Sequence, residues 1–395
     1  MIGILPAEHC CGCAVCRAVC PRDAILMRPD AEGFLQPVVD VARCVQCGLC
    51  RKACPVLCPD DPRQPLSVFA ARAKDDGLRS KSSSGGIFSL LARQTLAKGG
   101  IVYGAAVRLT DGKVVHQSAE TEEELSALRG SKYVQSDVGD VYRQARRQVL
   151  AGRQVLFSGT PCQIAAFRRV VGRDYGNLLC VDVICHAVPS PLAWRKYLEK
   201  RFAEQNQGRD SAQAGGLAFR RISFRSKNCG WKRYSLSLRF ANDREYLKDL
   251  QHDTFLRGFL AELYNRPSCH QCPVREARSG ADLTIGDYWR VWERFPELDD
   301  DKGTSLVLVN TRKGESALIA FAAEVDARPS DFADAVRTNP ALVRSAPVHS
   351  KREQFFRSLR AGKDFDGLVR KFLRRPMWRR CGSLVKRLIR KVLGK

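Results

Sequence analysis

The sequence predicts an α/β (α+β) core, preceded by a small cysteine-rich module and followed by a basic amphipathic helix. Three observations carry this reading. Ten of the 17 cysteines lie in the first 58 of 395 residues. From Ser67 onward, short β-rich runs alternate with helical patterns, as in α/β architectures. Residues 341–395 carry 17 basic and three acidic side chains, more than half of the net charge of +24. The expected domains are therefore 1–60, 67–340 and 341–395.

The opening segment MIGILPAEHCC lacks the basic and apolar regions of a secretory signal. No run approaches the ~20 apolar residues of a membrane-spanning helix. The expected compartment is the cytoplasm, where clustered cysteines are metal ligands rather than disulfides. Cys10, Cys13, Cys16 and Cys20 precede Pro21 with the spacing C-x2-C-x2-C-x3-C-P, and Cys44, Cys47, Cys50 and Cys54 precede Pro55 with the same spacing. This is the bacterial-type two-cluster ferredoxin pattern, in which the fourth cysteine of each run crosses to the other [4Fe-4S] cluster. Cys10, Cys13, Cys16 and Cys54 are expected on one cluster, and Cys44, Cys47, Cys50 and Cys20 on the other. Cys11 and Cys58 are surplus. Zinc would call for paired C-x2-C steps closing one tetrahedron. CPDDPRQP (58–65) reads as a linker.

In the core, strands are expected in GGIVYGAAV (99–107), QVLFSG (154–159), LLCVDVIC (178–185), YSLSLRF (234–240), LTIGDY (283–288) and SLVLVNT (305–311). Helices are expected at 86–99, 142–152 and 191–205, with an exposed loop at 206–216. KSSSGGIFSLLA opens a helix with serines and glycines, which suits either a bound phosphate or a plain N-cap. LRGSKYVQS places Lys132 and Tyr133 together, over a phosphate or flavin or in a surface turn. VLFSGTPCQI is a strand, a small-residue turn and a helix begun by Pro161. It puts Cys162 near a helix N-terminus, as a reactive or an inert thiol. Cys185 and His186 end a strand, and Cys269 and Cys272 form another C-x2-C. Cys162, Cys185, Cys269 and Cys272 match the number a third [4Fe-4S] cluster takes; a zinc site and unligated thiols are the alternatives. Cys180 is expected in the core.

Taken in order, SSSGGIFSLLA, GSKYVQS, VLFSGTPCQI, VDVICHAVPSP, KNCGWKRY and LTIGDYW resemble the beta subunit family of coenzyme F420 hydrogenase/dehydrogenase, up to about Thr311. The resemblance implies an iron–sulfur flavoprotein oxidoreductase. FAD would be contacted by Ser82, Ser83, Ser84, Gly85 and Gly86, by Gly130, Ser131, Lys132 and Tyr133, and by Ser158, Gly159, Thr160 and Pro161. The four core cysteines would hold a cluster beside it. Partners would be a redox protein or reduced ferredoxin, and a small-molecule substrate or coenzyme F420. Many relatives are encoded near surface-polysaccharide genes. Ala187 departs from the family's usual glycine after Cys-His. His186 and Lys132 are the candidate proton donors, histidine because it titrates near neutrality. Two other functions stay open: an electron-transfer subunit without its own substrate site, and a flavin-free scaffold.

In GSLVKRLIRKVLGK (382–395), apolar and basic residues alternate at helical spacing behind Trp378 and four arginines. This pattern suits an anionic membrane surface on the inner face, docking on the core, or an acidic partner. Binding to RNA or DNA stays open beside the acidic partner, although a nucleic-acid surface would more naturally run through a folded domain with interleaved aromatics.

Overall fold

The computed structural model describes residues 4–205 and 218–374. The tail helix expected at 382–395 and the loop expected at 206–216 lie outside them. Among the described residues, no helix is long and apolar enough to cross a membrane.

The N-terminal module is an antiparallel hairpin, Ile25–Pro29 with Leu35–Val39, flanked by the short helices Val15–Ala18 and Leu49–Lys52. Each helix begins directly after a left-handed residue, Ala14 (φ 62°) or Gly48 (φ 74°). A second left-handed residue precedes it by two, Gly12 (φ 64°) or Gln46 (φ 53°). The two cysteine repeats thus share one backbone path. An L side chain costs about 1–2 kcal/mol in that conformation, so Ala14 and Gln46 mark a path the repeat imposes.

The core is built on an eight-stranded mixed sheet. Its order is Val325–Ser330, Ser67–Ala73, Ser305–Val309, Leu283–Asp287, Leu178–Val183, Val155–Gly159, Ile101–Val107 and Val114–Ala119. The four strands from Leu283–Asp287 to Ile101–Val107 are parallel, and the outer pairings are antiparallel. Covered on both faces, the central strands are nearly continuous apolar runs; all five residues of Ser305–Val309 are buried. One face packs Phe157, Phe167 and Tyr142, with Phe157 and Phe167 stacked at 4.1 Å between ring centroids. The other packs Leu90, Leu91, Leu156 and Val307.

A second sheet, Phe219–Ser226, Ser235–Phe240 and Glu245–Asp249, closes over helix Pro191–Gln205. The described part of the stretch expected to form a separate basic tail from 341 holds two helices. Helices Arg352–Arg360 and Phe365–Phe372 bury Phe355, Phe356, Leu359, Leu368 and Val369 in the same core as Trp194 and Tyr197. Buried Arg201 pairs with Asp366, which also accepts from Thr254 Oγ1 at 2.6 Å. Apart from buried Arg352, the basic residues of these helices lie on their outer sides, so net charge concealed the core-facing pattern. Strands Ser67–Ala73, Val114–Ala119, Phe219–Ser226, Glu245–Asp249 and Val325–Ser330 were not expected either. They are edge or alanine-rich segments with weak β patterning.

Candidate redox site

The cysteines of the module divide by burial. Cys10, Cys13, Cys16 and Cys54 are all buried, whereas Cys20, Cys44 and Cys50 are partly exposed and Cys47 is exposed. The buried four are the set expected on one cluster, Cys54 included, and the more exposed four the set expected on the other, Cys20 included. Backbone N–H groups point at sulfur at both ends of the first repeat, Gly12 N to Cys10 Sγ at 3.4 Å and Ala24 N to Cys20 Sγ at 3.3 Å. Such bonds tune cluster potentials. Burial pushes the Cys16 thiol up to about 12. Iron reverses that preference, because a coordinated thiol is deprotonated.

The buried repeat is docked on the core. Val15 and Cys13 pack with Phe167 and Ile164 of helix Pro161–Val171. Arg143 donates to the Ala18 and Arg17 carbonyls at 2.9 Å and pairs with Asp23 at 2.6 Å. Buried Arg352 pairs with Glu32. Arg266, 1% exposed, donates to Cys10 O at 2.7 Å, Leu35 O at 2.8 Å and Gln135 Oε1 at 2.8 Å.

Immediately inside this seam the structure brings the four core cysteines together. Cys162, Cys185, Cys269 and Cys272 line one small cavity of about 60 Å³, and Cys11 lines it with them. Burial pushes Cys269 up to about 12 and Cys185 well above a thiol's usual value, with the neighbouring cysteines adding to the Cys185 shift. Among the described residues, no group of three or more His, Cys, Asp or Glu side chains converges closely enough for a single metal ion. Cys11 was surplus to the sequence pattern. The signal that could have found it is the fifth cysteine inside a four-cysteine run. Cys180 is fully buried in its strand and Cys58 is exposed.

A much larger cavity, about 640 Å³, opens at the carboxyl ends of the parallel strands, where open α/β sheets bind ligands. Its size is that of a cofactor site. Residues 82–84 and 86, 130–133 and 158–160 all line it, while Pro161 lies on the cysteine cavity instead. The first two segments are stitched together by Ser131 N donating to Ser83 Oγ at 2.6 Å. Gly85 lies under its turn because a Cβ would sit 2.4 Å from Ala71 O. Helix Ile87–Ala97 starts at left-handed Gly86 with no side-chain cap, so its first N–H groups suit an anion. His116 fixes the third segment, with Nδ1 2.7 Å from Ser136 Oγ and Nε2 donating to Ser158 O at 3.0 Å. Tyr133, Tyr234, Phe259 and Trp289 supply aromatic walls. Buried Arg225 pairs with Asp287 and leaves Nε and Nη2 unpartnered. Val183, Ile184, Cys185, Ala187 and Val188 line both cavities.

His186 lines the large cavity half-exposed, and its Nε2 pairs with buried Glu262, which also accepts from Asn265. Glu262 carried no sequence signal. Lys132 also lines the cavity, but its ammonium donates to the carbonyls of Ala127, Leu128 and Arg129 at 2.9–3.0 Å, capping helix Glu122–Leu128. Burial pulls it down to about 7, while three acceptors at a helix C-terminus favour the charged form.

Three family models match the chain. The 4Fe-4S dicluster domain matches residues 9–58. The N-terminal part of the coenzyme F420 hydrogenase/dehydrogenase beta subunit matches 68–143, and its C-terminal part matches 152–330. No curated protein matches. A similar solved structure is a chain of the F420-reducing [NiFe] hydrogenase complex from Methanosarcina barkeri, at 16% identity and a TM-score of 0.46 over 72% of this chain and 91% of that one.

Proposed function

The chain belongs to the coenzyme F420 hydrogenase/dehydrogenase beta subunit family and carries an iron–sulfur electron-transfer module, and from that premise we propose that it is an iron–sulfur flavoprotein oxidoreductase. In this reading Cys44, Cys47, Cys50 and Cys20 form the outer site, where a redox partner protein delivers or collects electrons. Cys10, Cys13, Cys16 and Cys54 form the inner site, and Cys162, Cys185, Cys269 and Cys272 the core site. The observation that carries the proposal is the wall shared by the cysteine cavity and the large cavity. One strand end, from Val183 to Val188, borders both.

The large cavity fits FAD in volume, in its three serine- and glycine-bearing turns, in its uncapped helix start and in the unpartnered nitrogens of Arg225. FAD bound there would supply the exchange between one-electron steps and two-electron chemistry. Residues 82–84 and 86, 130–133 and 158–160 would hold it. Lys132 keeps the 130–133 turn in place from its helix cap. Glu262 accepts the Nε2 proton of His186, leaving Nδ1 to exchange a proton with a small-molecule substrate, coenzyme F420 among the candidates.

The test is anaerobic rapid mixing with a reduced low-potential ferredoxin, following flavin bleaching. C47S is expected to slow bleaching at least tenfold while leaving reduction by excess dithionite intact. Equal bleaching rates in C47S and the parent protein would remove the outer site from the route.

A further inference from the structure

We propose that Arg266 is a positioning residue that acts as the shared counter-charge of the inner and core sites and sets their reduction potentials. This rests on the reading above that both sites hold clusters.

The argument starts from an anomaly in how this chain buries charge. Its other deeply buried arginines each meet a carboxylate: Arg79 meets Asp300, Arg201 meets Asp366, Arg225 meets Asp287 and Arg352 meets Glu32. Arg266 is the most buried of the arginines with a described side chain, yet its hydrogen bonds go to two carbonyls and an amide oxygen. No ion pair with a carboxylate is formed by Arg266 among the described residues. The Phe34 ring, 5.1 Å from the guanidinium, and these neutral acceptors offset part of the burial cost, but a buried cation without an anion costs several kcal/mol, which an anionic neighbour other than a carboxylate would relieve.

Its position supplies the candidate. Arg266 lies on the backbone of Cys10, an inner ligand, and three residues before Cys269, a core ligand. Its own carbonyl accepts from Cys269 N at 3.0 Å, so one residue touches the backbone of both sites. A cubane held by four thiolates is anionic and gains another negative charge on reduction. A guanidinium wedged between two such sites stabilises both, and the reduced forms more. The sequence makes room for it. Gly12 is left-handed, and a Cβ there would lie 2.4 Å from Arg266 Nη1. The second repeat, which has no such arginine against it, carries Gln46 at the equivalent place.

The experiment is an EPR-monitored redox titration of the anaerobically purified full-length protein, comparing the parent with R266Q and R266K. R266Q is expected to keep its iron and to lower the inner and core potentials by at least tenfold in the reduction equilibrium (about 59 mV for one electron). The outer site, its internal control, stays unchanged. R266K, which keeps the charge but not the fork, is expected to recover most of the shift. Unchanged inner potentials in fully loaded R266Q overturn the proposal, as does an equal shift at all sites. Should R266Q lose its inner iron, R266K decides: retained iron with a near-parental potential supports the charge, and parallel loss assigns Arg266 a purely structural role. A parent protein with only two clusters would refute the core cluster, while the inner potential would still test Arg266.

Discussion

Residues 10–20 and 44–54 trace the same backbone around the same cysteine spacing, yet one repeat faces protein and the other faces solvent. Val15 is 1% exposed and its counterpart Leu49 is 44% exposed. Cys11 lines the core cavity, whereas its counterpart Val45 is 59% exposed. Gly12 admits Arg266, while Gln46 stands in the open. From Val41 to Pro59 there is no acidic residue, and Arg43, Arg51 and Lys52 are exposed among Val41, Val45, Leu49 and Leu57. The difference teaches that the spacing sets cluster ligation, while the residues between the cysteines set polarity. The inner repeat is joined to the core, and the outer repeat presents an apolar, basic rim to solvent.

The largest predicted contrast is between C16S and C47S. C16S is expected to lose the inner cluster and loosen the seam with helix Pro161–Val171. C47S loses only the outer cluster and keeps its flavin. Equal losses of iron and of thermal stability would break the comparison. Next is the exchange of the residues at positions 12 and 46. G12Q forces a side chain into Arg266 at a left-handed position and is expected to cost about 3 kcal/mol or more. Q46G, at an open site, stays within about 1 kcal/mol. Anaerobic denaturant titration measures both, and similar values would show that surroundings do not distinguish the repeats.

The third prediction concerns acid. Burial holds His116 down to about 4, below its unfolded value near 6.5. Between those values the unfolded chain binds more protons, so this contribution is fully present above pH 6.5. It is lost as pH falls through 4, amounting to roughly 3 kcal/mol. Asp182, pushed up to about 6 by burial, opposes part of this by holding its proton in the folded state. H116Q is therefore expected to flatten the fall in urea midpoint between pH 6.5 and 4; an unchanged slope would acquit His116. The smallest effect belongs to the outer rim. R43E together with K52E is expected to slow electron input from an acidic donor protein several-fold at low salt, with the difference fading as salt rises. Salt-independent slowing would point away from charge steering.

The cysteine spacing was legible because ligation geometry fixes it locally. The parallel strands were legible because burial on both faces demands unbroken apolar runs. The serine- and glycine-bearing turns stood out for the same local reason, and the structure brings residues 82–84, 86, 130–133 and 158–160 to one cavity. Arg266 and Glu262 were not legible, since each meets partners far away in sequence; Arg266 reaches back 256 residues to Cys10. The helices Arg352–Arg360 and Phe365–Phe372 were hidden by their charge, although Phe355, Phe356 and Leu359 repeat at helical spacing.

The most direct test of the account is the iron, acid-labile sulfide and flavin content of the anaerobically purified chain. The account predicts about twelve irons and one FAD per chain, two clusters from the repeats and one from the core cysteines. About eight irons with no flavin would contradict it, leaving an electron-transfer module on a core that holds no cofactor.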